Sequence, residues 1–307
     1  MASVSSIPFA EENHGTPYNA SGVVPIGPRR FVFIDNRDPD AVFELSVTSD
    51  GRQDGPIVRR ALTGVAPDAL RDPEGLARID TADGKFDLIV SSSFCARSGR
   101  KAHHTPSDGL VRIRYRPDGD LSAEAMPGFR EWLLNAFPGL APAARIVPDD
   151  DGLNVEGLAW DPVRQLLLFG LRSPVRAGRI PVLAVHLDVG APWTTAACRA
   201  QSEVTVKTGH SHVPLGIRDM SYDPHRERFL LLLGRSTGGK KTRFHLAEWN
   251  GTDDTAVELD IRFTHRSMKP EGITAFSDGP AQRILIVDDA GGFAVFDAAT
   301  KDAESGE

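Results

Sequence analysis

Cysteine is nearly absent: Cys95 and Cys198 are the only two in 307 residues, which excludes a disulfide framework and a thiolate-based metal site. Long apolar runs are missing as well. No stretch approaches the roughly 20 residues that a membrane-spanning helix needs, so no membrane association is expected. Excess positive charge is lacking: the formal net charge is −7, so general affinity for nucleic acid is not expected, although a local basic patch is compatible with that balance. The opening residues Met1-Ala2-Ser3-Val4-Ser5 hold neither the basic cluster nor the apolar stretch of a secretory signal. With free thiols, this sets the expectation of a cytoplasmic protein. There is no Gly-x-Ser-x-Gly elbow. The glycine-rich run from Gly234 to Lys240 lacks the spacing of a phosphate-binding loop and joins two predicted strands.

What is present is an internal repeat. Glu74-Gly75-Leu76-Ala77 returns as Glu156-Gly157-Leu158-Ala159 and as Glu271-Gly272-Ile273-Thr274, with a degenerate copy at Asp219-Met220-Ser221. The following residues repeat too. Trp160-Asp161-Pro162-Val163-Arg164 and Tyr222-Asp223-Pro224-His225-Arg226 each lead into an apolar run that ends in glycine. Ser21-Gly22-Val23-Val24 aligns with the tetrads, giving five units that start near 21, 74, 156, 219 and 271. Their irreducible length of about fifty residues suits four short strands with turns, the size of a propeller blade.

The expectation is therefore one all-β domain over 1–307, a five-bladed β-propeller of four-stranded blades, with a six-bladed ring as the rival count. A helical insertion is expected at 121–142, because Phe129, Trp132, Leu133, Ala136 and Phe137 recur at steps of three and four. It is placed on the face opposite the site, with Arg145-Ile146-Val147 as the strand that follows it. Unit five has three obvious strands before the polar tail at 299–307. Either Val4 to Phe9 supplies its missing outer strand, or residues 1–18 form a loose tail.

In a propeller the first strand of each blade lines the channel, so Glu74, Glu156, Asp219 and Glu271, with Ser21 in the fifth position, would ring one axis. Carboxylates crowded in a poorly solvated channel repel one another, so either some take up protons or a cation neutralises them. An all-oxygen set favours a hard ion such as Ca²⁺. Equally, the acids could pair with Arg71, Arg218 and Lys269, each close to its acid in sequence.

Arg97-Ser98, Arg172-Ser173 and Arg235-Ser236 close the second strand in three units, and Arg37 occupies the corresponding place in unit one. Such a rim could hold a small anionic molecule. His103 falls in one of these loops and His210 and His212 in the loop that enters unit four, on the same face, and they are the candidate catalytic groups for activating water. Two functions follow: metal-assisted hydrolysis of a small anionic ester such as a phosphate ester, or a propeller that grips a ligand or protein without chemistry.

With the tetrads, Gly216-Ile217-Arg218-Asp219 and Lys269-Pro270-Glu271-Gly272-Ile273 in view, the chain resembles a bacterial family known only as domain of unknown function 3616, from about Ser21 to Phe296. A weaker similarity links the Glu-Gly repeats to calcium-dependent propeller hydrolases, among them phytase-related esterases and calcium-activated nucleotidases. That similarity implies a channel metal held at Glu74, Glu156 and Glu271. The chain departs from the pattern at Asp219-Met220, and no lactonase-type Asn and Asp pair can be placed in it.

Overall fold

Each unit begins with a strand rich in small and branched residues, and the five strands Ala20–Gly27, Pro73–Asp80, Asn154–Asp161, Leu215–Asp223 and Pro270–Asp278 pack against one another in a closed cycle. The computed structural model describes residues 2–66, 69–96, 109–208, 214–238, 243–264 and 268–298. Outward from the inner strand of unit three, Leu166–Ser173, Arg179–Leu187 and Cys198–Lys207 complete an antiparallel four-stranded sheet. Unit four follows the same order with Arg228–Arg235, His245–Trp249 and Val257–Glu258. Units one and two are fused into one eight-stranded sheet, because their outer strands Val58–Thr63 and Leu121–Ala125 pair in parallel. The architecture is an all-β propeller.

Among the described residues, unit five supplies three strands from its own sequence, and Ile7–Pro8 pairs antiparallel with Gly292–Asp297 as the fourth. Just before it, Ala2–Val4 lies parallel to Ile261–Phe263 of unit four, so the N-terminal segment spans two units. Phe9 fixes it in place, with its ring centroid 5.3 Å from that of Phe33 and 5.5 Å from that of Phe293. Burying such a ring contributes roughly 1.5–3 kcal/mol, and covering the outer edge removes an unpaired strand.

The repeat extends to backbone detail. The first hairpin of each unit turns through one residue in the left-handed region: Arg29 (φ 52), Gly84 (φ 74), Gln165 (φ 55), Glu227 (φ 51) and Gly279 (φ 62). In units three and four the acid before the proline fixes the turn. Asp161 Oδ1 accepts the N–H groups of Val163 and Arg164, both at 3.0 Å, and Asp223 Oδ1 accepts that of His225 at 2.9 Å.

The insertion after unit two differs from its sequence reading. Residues Leu121–Ala125 form that unit's outer strand, with Leu121 and Ala123 buried and Ser122 and Glu124 exposed; this alternation is a strand's period of two. The helix is Phe129–Ala136, and the region of Arg145 to Val147 holds a short 3₁₀ turn, Ala143–Arg145, where a strand was expected. The insertion also lies on the same face as the acids, because the fourth strand of an antiparallel unit ends where the next inner strand begins. Arg130 Nε donates to Phe94 O at 2.9 Å, and Leu153 N donates to Ala143 O at 2.9 Å, one residue before the inner strand of unit three. Both cysteines are buried, and neither forms a disulfide. No helix among the described residues is long and apolar enough to cross a membrane.

Candidate functional site at the acidic mouth

Near its start each inner strand carries an extra, unpaired residue, a β-bulge, and the five bulged residues are Gly22, Glu74, Glu156, Arg218 and Glu271. A bulge turns its residue away from the regular pleat. Three glutamates and one guanidinium are thereby brought together at one mouth of the channel. Unit one contributes only glycine, with φ 42 at Gly22, where a Cβ would lie 2.8 Å from the Cβ of Leu76.

This register corrects the sequence alignment by one residue in two units. Arg218, not Asp219, stands where the glutamates stand, and Gly22, not Ser21, is its counterpart in unit one. Asp219 instead pairs with Leu232, just as Gly157 pairs with Gly170. It is fully buried, and its Oδ2 accepts the N–H of Ile273 at 2.7 Å, fastening inner strand four to inner strand five. Burial holds its carboxyl well above the usual carboxylate range.

Arg218 is the hub. Its side chain is 11% exposed; Nη1 lies 3.1 Å from Glu156 Oε2, and Nη2 donates to Glu271 Oε1. Glu156, 2% exposed, also accepts from Arg172 Nη1 at 2.8 Å and from Asn154 Nδ2 at 2.9 Å. Glu271 is 7% exposed, and burial pushes its carboxyl up to about 8; Arg218 opposes that shift and Glu156 adds to it. Glu74 accepts from Ser21 Oγ at 3.2 Å and from Asn36 Nδ2 at 3.1 Å. Burial first, then the charges of Glu156, Asp72 and Glu271, hold Glu74 well above the carboxylate range. Burial lowers the Arg218 pKa, but the charges of Glu156 and Glu271 outweigh it and hold the guanidinium firmly charged.

The acid set does not fit the calcium ion expected for Glu74, Glu156, Asp219, Glu271 and Ser21. Two of those acids are spent on Arg218, whose positive charge fills the role the ion would have had, and Asp219 is bonded to backbone one layer deeper. Among the described residues, no group of three or more His, Cys, Asp or Glu side chains is placed to hold a metal.

The rim arginines divide. Arg172 joins the cluster through Glu156, and its Nε donates to Arg235 O at 3.3 Å. Gly216 permits this approach: a Cβ there would fall 1.9 Å from Arg172 O. Arg235 is turned to Thr237 O at 2.9 Å and Arg37 to Pro17 O at 2.6 Å. Arg97, His103, His210 and His212 lie outside the described residues.

Asn36 and Asn154 were not singled out as site residues from sequence, and Arg218 was read only as a possible ion-pair partner of the acids. The asparagines carry no signal there, but Arg218 does. The Asp-Pro turns at 161–162 and 223–224 are offset by 62 residues, and the same offset carries Glu156 onto Arg218.

Chemically, the mouth joins protonatable carboxyls to fixed positive charge. Arg172 and Arg218 both pair with Glu156, while burial favours the protonated form of Glu74 and Glu271. Carboxyls held apart in protonation by their surroundings are the raw material of acid catalysis.

Fold and cluster together define a propeller with an ion-paired cluster of largely buried side chains at one mouth of its channel. The chain belongs to the family described as Protein of unknown function (DUF3616), whose profile matches residues 130–299. No curated protein sequence matches it. Among solved structures it is similar to a thermostable family-43 glycoside hydrolase, with a TM-score of 0.51 and 10% identity over 93% of this chain and 90% of that one. It is similar too to a family-43 β-1,3-galactosidase with galactodeoxynojirimycin, with a TM-score of 0.51 and 9% identity over 96% of each chain. Pseudomonas fluorescens PhoX with vanadate matches at a TM-score of 0.43 and 13% identity, over 85% of this chain and 58% of PhoX. At such identities the likeness is one of fold.

Proposed function

We propose that the protein is a five-bladed propeller hydrolase that cleaves a small anionic ester, a phosphate ester being the leading class, at the mouth formed by Glu74, Glu156, Arg218 and Glu271, without a metal ion. Five bulges, five left-handed hairpin turns and a closed cycle of five inner strands support the blade count. The observation that carries the chemistry is the convergence of two bulged glutamates, Glu156 and Glu271, on one bulged arginine, with the partly exposed Glu74 at the same mouth and within reach of their charges.

In this reading Arg172 and Arg218 attract the anion. Protonated Glu74 donates to the leaving oxygen as a water attacks, and Asn36 and Ser21 hold Glu74 in position. A second reading, ligand or protein binding without chemistry, draws on Arg37 and Arg235, whose guanidiniums are occupied with backbone carbonyls.

The test is turnover of p-nitrophenyl phosphate, bis-p-nitrophenyl phosphate and p-nitrophenyl acetate, in chelator and in excess Ca²⁺, by wild type and Glu74→Gln. The expected result is equal turnover of an anionic ester in both buffers, lowered about 100-fold or more in the variant with little change in thermal midpoint. No turnover, or a variant as active as wild type, would leave the binding reading in its place.

A further inference from the structure

A second site lies at the other end of the channel, where the inner strands finish. There a cavity of about 610 Å³ opens between the ends of the inner strands of all five units. That volume is within the range of small-molecule pockets, and none of the clustered glutamates lines it.

Its wall repeats a position as the acidic mouth does. Arg78, Trp160 and Tyr222 share one register on successive inner strands, paired with Leu88, Leu167 and Phe229. All three are partly exposed and line the cavity. They present flat faces. Tyr222 leans on Phe229 with centroids 5.2 Å apart, and the Arg78 guanidinium lies 4.1 Å from the centre of the Phe86 ring. Among the described residues, neither the Trp160 indole N–H nor the Tyr222 hydroxyl has a hydrogen-bond partner. The rim adds the exposed side chain of Gln165 and the His225 Nε2 to Ser277 Oγ contact at 2.6 Å.

The charges of this wall are already matched. Arg78 pairs with Asp80, and Asp223 accepts the N–H of His225. An anion would have to displace Asp80 from Arg78, and a purely apolar ligand would leave the indole N–H and the phenol hydroxyl without water or partner. The matching chemistry is an uncharged ring with one apolar face and hydroxyl groups at its edge. A pyranose stacks its C–H face on an aromatic ring and offers hydroxyls to donors around it.

We propose that this far-mouth cavity is a binding site for a neutral carbohydrate of one or two pyranose rings, with Trp160 as the stacking platform and Tyr222 as a hydrogen-bonding wall. The site goes beyond the hydrolase reading and does not depend on it.

Saturation-transfer NMR with lactose, cellobiose and xylobiose, and with adenosine as a flat neutral non-sugar, tests this on the full chain. At least one disaccharide should receive saturation from the protein. Trp160→Ala should weaken its binding about tenfold, the loss of one aromatic contact. Tyr222→Phe, which keeps the ring and removes only the hydroxyl, should weaken it several-fold. Glu74→Gln should leave sugar binding intact, and Tyr222→Phe should leave any ester turnover intact, so the two mouths succeed or fail separately. Binding of adenosine alone, binding of none of the four, or a disaccharide affinity unmoved in both Trp160→Ala and Tyr222→Phe would overturn the proposal. Should Trp160→Ala fail to fold, Tyr222→Phe decides it.

Discussion

Replacing Arg218 with methionine tests the central claim that a guanidinium, and not a metal, holds the acidic mouth together. Methionine keeps much of the side-chain length and removes the charge. The change strands Glu271, 7% exposed, without its ion pair and leaves Glu156, 2% exposed, to Arg172 and Asn154. Removing one partner of a buried pair costs about 3–5 kcal/mol, because the remaining charge stays desolvated. For a chain of this size that amounts to a fall in thermal midpoint of about 6–15 °C. The cost should depend on pH, and its sign follows from Glu271. Burial already raises that carboxyl from 4.5 to about 8, with Arg218 the leading opposing influence; without Arg218 it rises further. A folded state that holds the proton more tightly than the unfolded chain loses stability as pH climbs from 4.5 toward the folded value. The deficit of Arg218→Met relative to wild type should therefore be smaller at pH 5.5 than at pH 8.5 in thermal melts followed by circular dichroism. Calcium should raise the variant's midpoint at pH 8.5, where unpaired carboxylates face one another, and leave wild type unmoved. A variant within 1 kcal/mol of wild type at pH 8.5, or an equal deficit at both pH values, would refute the hub assignment.

Gly216→Ala should destabilise by several kcal/mol in urea titration, because its Cβ would fall 1.9 Å from a backbone oxygen that cannot swing aside. Phe9→Ala should cost about 3–5 kcal/mol by the same measurement, since it empties the stack on Phe33 and Phe293 that holds the N-terminal segment across units four and five. Asp219→Asn should change stability by less than about 1 kcal/mol near neutral pH, because the amide oxygen still accepts from Ile273 and the replaced carboxyl is held protonated by burial. Asp219→Ala should cost about 2 kcal/mol by orphaning that buried N–H.

The fold was legible because its signals are local. Asp-Pro turns, apolar runs of strand length and the recurring tetrads act over a few residues, and each appears in two or more units. The N-terminal strand was half legible: Val4 to Phe9 has a strand's composition, but nothing in it specifies that Ala2–Val4 joins unit four and Ile7–Pro8 joins unit five. The outer strand of unit two was missed because Leu121 to Ala125 is short, small and half polar. Its pairing depends on a parallel neighbour, Val58–Thr63, that lies some sixty residues away. Sheet context outweighs propensity in such a strand.

The site was legible in its acids, and Arg218 was legible as a possible partner for them, but not as the occupant of the repeat position itself. Matching like with like drew Asp219 into line with the glutamates, whereas a bulge is counted by position and puts Arg218 there. A single substitution of sign at one repeat changes what the cluster is. Four carboxylates around an axis would require a cation or shared protons, but three carboxyls and a buried arginine satisfy each other where burial favours the protonated form of Glu74 and Glu271. The same counting exposed the second site. Arg78, Trp160 and Tyr222 share no chemistry that a residue-type search would group, and only their common distance from the bulge places them on one ring of the channel. In a chain built by repetition, the position within the unit is the stronger guide, and the residue that breaks the pattern at that position is where function concentrates.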